Sequence, residues 1–238
     1  MGAPQTLTRP LAERVAGLPE VVEHTDSPAI PQAVIDAAVQ ALADGKTHYT
    51  DRPGILGLRK WVTEYLQQRF NVALTPNDVT ITCGATEARF VTIKRLVKAG
   101  EKILCPGDAI TIAGAAHLVG TMIVRQANDP AGIRLLYITP HDSFDMLHPF
   151  LELATQYGWW IAYDLADAPS DLTFHPAQNL ALASKVVSMG SLSHIMPGWR
   201  VGWMAGSEMA DKLRAYKQSM TICTTSVSQW AGMGVVDK

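Results

Sequence analysis

Short runs that are apolar at nearly every position alternate along this chain with longer segments that are apolar only every third or fourth residue. The short runs are "DVTIT" at 78–82, "KIL" at 102–104, "TMIVRQ" at 121–126, "RLLYITP" at 134–140, "WWIAYDLAD" at 159–167, "KVVSMGSLS" at 185–193 and "VGWMAGS" at 201–207. Their length and their β-branched and aromatic content predict strands. The longer segments predict helices: "SPAIPQAVIDAAVQALADG" with a Ser-Pro start and a Gly stop, "GILGLRKWVTEYLQQRFN", the part of "GATEARFVTIKRLVKAG" that ends at Gly100, "ITIAGAAHLVG", "MLHPFLELATQYG" and "EMADKLRAYKQSM". Strands apolar on both faces and alternating with helices predict an α/β class: a mostly parallel sheet covered by helices on both faces.

Ligands of such sheets gather at the carboxyl ends of the strands. The polar or turn-forming residues there are Gly84, Ala85 and Thr86, Asp108, His141 and Asp142, Asp164 and Asp167, and Ser191 to His194. "ITCGATEA" turns from strand to helix at Gly84, and the first amides of a helix make an anion site. The Arg200 guanidinium and the hydroxyls of Ser191 and Ser193 could complete a phosphate cup. Glycine at such a turn, turn serines and a surface arginine are equally ordinary in proteins without one.

Composition narrows the classes. The chain has 238 residues, 47% hydrophobic and 18% charged, with a net charge of −2. That is enough for one large domain with its own core. Without a basic stripe, nucleic acid is not an expected partner. No apolar run reaches bilayer length and the first residues lack a signal-peptide core, so no membrane association is expected. Three cysteines, Cys83, Cys105 and Cys223, without CxxC spacing, suit a reducing, cytoplasmic setting.

The order of "HYTDRPGILGLR", "ITCGATEA", a strand closing at Asp164, and "SLSHIMPGWRVGW" resembles the class I/II aminotransferases, the fold-type I pyridoxal-phosphate-dependent family. The resemblance runs from about Ala29 to the C-terminus. It implies an N-terminal arm over 1–28 and a large-domain-like fold over 29–238 without the C-terminal small domain of relatives. It also implies cofactor-phosphate contacts from Ala85, Thr86, Ser191 and Arg200, and an Asp164 that pairs with the pyridine nitrogen. Tyr49 would reach the phosphate of the neighbouring subunit, and a homodimer is the implied assembly.

The departures from that family are concentrated in the same place. His194 stands where the family has the lysine that carries the cofactor, and imidazole cannot replace it covalently. Asp108 stands at the stacking aromatic, Asp142 at the asparagine that contacts the ring oxygen, and Asp167 at a tyrosine three residues after Asp164. Asp108, Asp142, Asp164, Asp167 and His194 are thus the candidate catalytic set. Clustered carboxylates repel unless a cation or shared proton compensates them, which points to a small amine-bearing substrate, with His194 as general acid or base in a repurposed, non-transaminating reaction. On this reading no cofactor is bound. One alternative keeps pyridoxamine or pyridoxal phosphate non-covalently, with His194 as base. Another is a catalytically dead partner of an active aminotransferase. A divalent metal is the least supported expectation, since the spacing matches no known metal motif. Trp159, Trp160, Trp199, Trp203 and Trp230 are candidates for core or interface positions.

Overall fold

The computed structural model describes residues 29–236, so the arm expected over 1–28 lies outside the described residues. The first two helices are α1 (Gln32–Ala43) and α2 (Leu56–Phe70). After them, strands and helices alternate: β1 (Val79–Thr82), α3 (Gly84–Leu96), β2 (Lys102–Leu104), α4 (Ile110–Val119), β3 (Met122–Val124), β4 (Ile133–Ile138), α5 (Phe144–Tyr157) and β5 (Trp160–Asp164). The chain continues through β6 (Val186–Ser191), β7 (Gly202–Ala205), α6 (Ala210–Thr221) and α7 (Ser226–Val236).

The seven strands form one sheet in the order β1-β7-β6-β5-β4-β2-β3. Pairings among β2 to β6 are parallel, whereas β7 runs antiparallel to both β6 and β1. The seven predicted strands are therefore all present, and in the central strands the pattern follows from two-sided burial. In β4, Leu136 and Ile138 pack on one layer while Leu135 and Tyr137 pack on the other. In β5, Ile161 and Tyr163 oppose Trp160 and Ala162 in the same way. The first layer is closed by Leu58, Val62, Leu66 and Phe70 of α2 and by Leu147 and Leu151 of α5. The second is closed by Ala88, Val91 and Leu96 of α3 with Ile112, Ala116 and Val119 of α4. Trp159, Trp160 and Trp203 are core residues, whereas Trp199 and Trp230 are half-buried.

Local signals set several boundaries. Ser143 caps α5 by accepting from the Met146 amide at 3.3 Å, and Gly158 ends it in the left-handed region at φ 66°. The sequence pattern does not predict α7, because two glycines and the absence of charged residues blur its periodicity. Packing decides it instead. A Cβ at Gly234 would come within 2.2 Å of the Ala33 carbonyl oxygen, so the glycine lets α1 and α7 approach closely. Gln229 of α7 is fully buried: its Oε1 accepts from the Ile55 amide at 2.9 Å, and its Nε2 donates to the Thr224 carbonyl and to Thr50 Oγ1. One side chain thereby anchors the "HYTDRPGI" segment to the far end of the chain. No helix among the described residues is long and apolar enough to cross a membrane, and the three cysteines are free thiols.

His175 is buried at 1% exposure between the rings of Phe70 and Tyr163. Its Nδ1 accepts from the Ala177 amide at 3.1 Å, so the ring proton sits on Nε2, 2.9 Å from Ser188 Oγ. Burial pushes its pKa down to about 3. The unfolded chain binds this proton below about pH 6.5 and the folded chain does not, so acid favours unfolding from that point downward. Chemical unfolding between pH 7.5 and 5 should show stability falling by about 1.4 kcal/mol per pH unit below 6.5 from this group. His175→Gln, which cannot titrate, should flatten that slope; parallel curves for the two proteins would refute the assignment.

Candidate active site

Three strand ends and one helix start build the site. β1 enters α3 through Gly84, whose φ of 75° is left-handed. A Cβ there would stand 2.6 Å from Arg200 Nη2, and a Cβ on Gly202 would stand 2.5 Å from the Gly84 carbonyl carbon. Both glycines are needed for β7 to press against the turn, and Arg200, itself left-handed at φ 56°, lays its guanidinium over it. Cys83, at the helix start, supplies no side-chain cap, while the Glu87 carboxylate accepts from the Cys83 amide at 2.7 Å. The amides of Ala85 and Thr86 follow in the first turn, where no intrahelical acceptor exists. Ser191 closes β6; its hydroxyl accepts from the Ser193 amide at 2.9 Å and contacts the Val201 carbonyl oxygen at 3.4 Å.

Asp164 ends β5 at 4% exposure. Its Oδ2 accepts from Arg89 Nε at 2.5 Å and from the Tyr137 hydroxyl, and its Oδ1 accepts from the Ala166 amide at 3.1 Å. Burial opposes the charge of Arg89, but the bond and attraction to Asp164 outweigh it, and the guanidinium pKa is raised. The Tyr137 phenol is pushed far above its usual value, first by burial and then by the Asp164 charge. Neither Arg89 nor Tyr137 is singled out by the sequence reading. The available signals are an arginine in the buried stretch "EARFVTI" and a lone hydroxyl in the apolar strand "RLLYI".

Asp108, Asp142, Asp164 and Asp167 line one cavity of about 510 Å³ together with Arg89, Thr111, Thr139 and His141. His194 lines an adjoining cavity of about 430 Å³ with Trp61, Tyr65, Ser191 and Trp203, and Asp167 borders both. His194 and Asp167 are exposed. The carboxylates are less crowded than their count suggests. Asp142 Oδ2 accepts from the Thr139 amide at 2.7 Å and its hydroxyl at 3.1 Å, and exposed Asp108 accepts from the Ile110 amide at 2.9 Å. The expected cation that compensates them is, at Asp164, not a ligand but Arg89, part of the protein. Tyr49, 81% exposed, lines a different cavity with Lys46, Thr50 and Trp230. Among the described residues, no group of three or more His, Cys, Asp or Glu side chains is placed to hold a metal ion.

No family model matches the chain. Over 231 residues it is 21% identical to the (5-formylfuran-3-yl)methyl phosphate transaminase of Methanocaldococcus jannaschii, covering 87% of this chain and 61% of that protein. It is 25% identical over 224 residues to an arginine–pyruvate transaminase of Pseudomonas aeruginosa, covering 81% of this chain and 56% of the relative. Among solved structures, a methionine aminotransferase of Escherichia coli superposes with a TM-score of 0.78 at 18% identity, over 88% of this chain and 64% of that one. An aromatic aminotransferase of Pyrococcus horikoshii does so with a TM-score of 0.76 at 20% identity, over 96% and 70%. The relatives and structural neighbours are class I/II, fold-type I aminotransferases. This aminotransferase-like chain spans about six-tenths of the curated relatives it matches, 61% and 56% of the two above.

These relatives overturn the expectation that no cofactor is bound, because they are pyridoxal-phosphate-dependent enzymes and point to that cofactor. At the end where the phosphate of such a group is expected, the Arg200 guanidinium is seated on the Gly84 turn, so close that a Cβ on Gly84 would stand 2.6 Å from its Nη2. The ring end meets an Asp164 already bonded by Arg89 and Tyr137. Asp164→Ala would leave a guanidinium that is only 12% exposed without its counter-charge. Urea unfolding should show a loss of about 3 kcal/mol or more; a loss under about 1 kcal/mol would mean the pair behaves as a surface contact.

Proposed function

We propose that this aminotransferase-like chain binds pyridoxal phosphate, or its amine form, without a covalent link and uses His194 as the acid–base group on a small amine-bearing substrate. The observation that carries this reading is the Arg200 guanidinium seated on the Gly84 turn at the start of α3. A cation, a left-handed glycine and free first-turn amides make an anion site stronger than any of them alone.

When bound, the cofactor would supply an electron sink for charge developing on a substrate carbon. The chain's own residues do the rest. Arg200, the Ala85 and Thr86 amides and the Ser191 and Ser193 turn hold the phosphate, while Asp164 and Arg89 set the polarity of the inner end. Trp61, Tyr65 and Trp203 wall the 430 Å³ cavity and exclude water from the substrate's apolar part. Asp167, on the border of both cavities, offers a carboxylate to an ammonium group. His194, in the same cavity, can take a proton from a substrate carbon or amine at one imidazole nitrogen and return it. Tyr49, exposed and outside this cavity, is available to a second copy of the chain, and we take the working unit to be a homodimer.

Absorbance titration with pyridoxal and pyridoxamine phosphate should give a saturable band, and Arg200→Ala should weaken binding by roughly ten- to a hundredfold. Borohydride treatment followed by denaturation should release all the cofactor, because none is attached to a lysine. His194→Ala should leave affinity within about threefold, less than one hydrogen bond's contribution, but abolish exchange of the substrate's carbon-bound hydrogen in deuterated water. Retention of cofactor on the denatured chain, or exchange that survives the loss of His194, contradicts the proposal.

A further inference from the structure

The cavity of about 430 Å³ that His194 lines is graded in burial. Trp203, Leu165 and Ala166 are buried at its inner end, with Trp61 and Tyr65 half-buried beside them. The Trp61 and Tyr65 rings stack with centroids 5.8 Å apart, and Trp203 meets Tyr65 edge-on at 6.2 Å. Burial raises the pKa of the Tyr65 phenol, so that ring stays uncharged at neutral pH. Asp167, Ser170 and His194 are exposed and form the mouth. Among the described residues, Arg69 is the one arginine or lysine that lines this cavity, and it is already engaged. Its Nε donates to the Leu172 carbonyl at 3.2 Å, its Nη1 to the Tyr65 hydroxyl at 3.2 Å and its Nη2 to the Pro169 carbonyl. The adjoining cavity adds Asp108, Asp142 and Asp164, and its Arg89 is paired with Asp164. His194 has to accept a proton in the reading above. A carboxylate entering here would therefore meet Asp167 and no unengaged arginine or lysine, whereas an ammonium group would meet an opposite charge.

We propose that the His194 cavity selects a primary amine with an aromatic body and no carboxylate, an arylalkylamine rather than an amino acid. This selectivity rests on the reading of His194 as the acid–base group and names its substrate class, but the affinity belongs to the cavity itself and needs no cofactor. The aromatic body fills the inner end against Trp61 and Trp203, where exchanging water for an apolar wall is favourable. The ammonium group stays at the mouth beside Asp167, and the carbon that carries it shares that mouth with His194. A carboxylate on the same carbon would be pressed toward Asp167, so discrimination comes from repulsion as well as attraction.

Ligand-observed NMR titration of the full chain, without added cofactor, compares three probes. They are 2-phenylethylamine, phenylalanine, which adds the carboxylate, and 3-phenylpropionate, which has the carboxylate without the amine. The first should bind about tenfold or more tightly than phenylalanine, and 3-phenylpropionate should not saturate. Asp167→Asn should cost 2-phenylethylamine about five- to tenfold, the low end for a charge-assisted bond because the carboxylate is exposed, and should narrow its lead over phenylalanine. Trp61→Ala should weaken it about two- to tenfold; Trp61→Phe, which keeps a ring and guards against poor folding of the first variant, should recover most of that loss. Equal or tighter binding of phenylalanine, unchanged affinities in Asp167→Asn, or no binding of any probe at millimolar concentration overturns the selectivity. Selective amine binding by a chain that gives no absorbance band with pyridoxal or pyridoxamine phosphate upholds it while refuting the cofactor reading. A cofactor band without amine selectivity refutes this inference alone.

Discussion

A carboxylate buried at the end of a central strand cannot stay charged without partners, and Asp164 is the point at which this protein meets that constraint. Its solution draws on three elements at once: a guanidinium from α3, a phenol from β4 and a backbone amide from the loop that follows β5. Because each donor comes from a different part of the chain, the network cross-links the helix that begins at the phosphate cradle to the middle of the sheet. It also places a cation where the resemblance leads one to expect only an anion.

The second constraint is steric. Gly84, Gly202 and Arg200 occupy a space in which one additional Cβ would collide with backbone or guanidinium atoms. This turn lies at the β1–β7 side of the sheet, and the Asp164 network lies further along it at β5 and β4. The two ends differ in the chemistry they present. At the first end Arg200 is seated on the Gly84 turn; at the second, Asp164 is bonded by Arg89 and Tyr137.

The aspartates illustrate why residue counts mislead. Read along the chain, Asp108, Asp142, Asp164 and Asp167 form a repulsive cluster that requires an external cation. In space, Asp142 is an acceptor for its own turn at Thr139, Asp108 serves the Ile110 amide, and Asp167 is exposed to solvent. Local backbone bonds of this kind stabilise a loop without any ligand. His194 likewise opens on the neighbouring cavity, with Asp167 as the border between the two.

The sequence by itself determined the class of fold and the map of its strand ends. Two-sided apolar runs admit few arrangements other than a helix-covered sheet, so all seven strands and most helices were legible, and so was the Gly84–Arg200 cradle through its motif. Periodicity could not reveal α7, whose glycines and uncharged surface are explained only by the close approach of α1 and by Gln229 holding the Ile55 amide. Nor could it reveal the partner of Asp164. Arg89 and Asp164 are 75 residues apart, and an arginine inside an apolar helix stretch has no meaning until the sheet brings a carboxylate to it. Pattern along a chain records which faces are buried; only the tertiary structure decides which charges meet, because electrostatic pairing depends on distances that sequence separation does not encode.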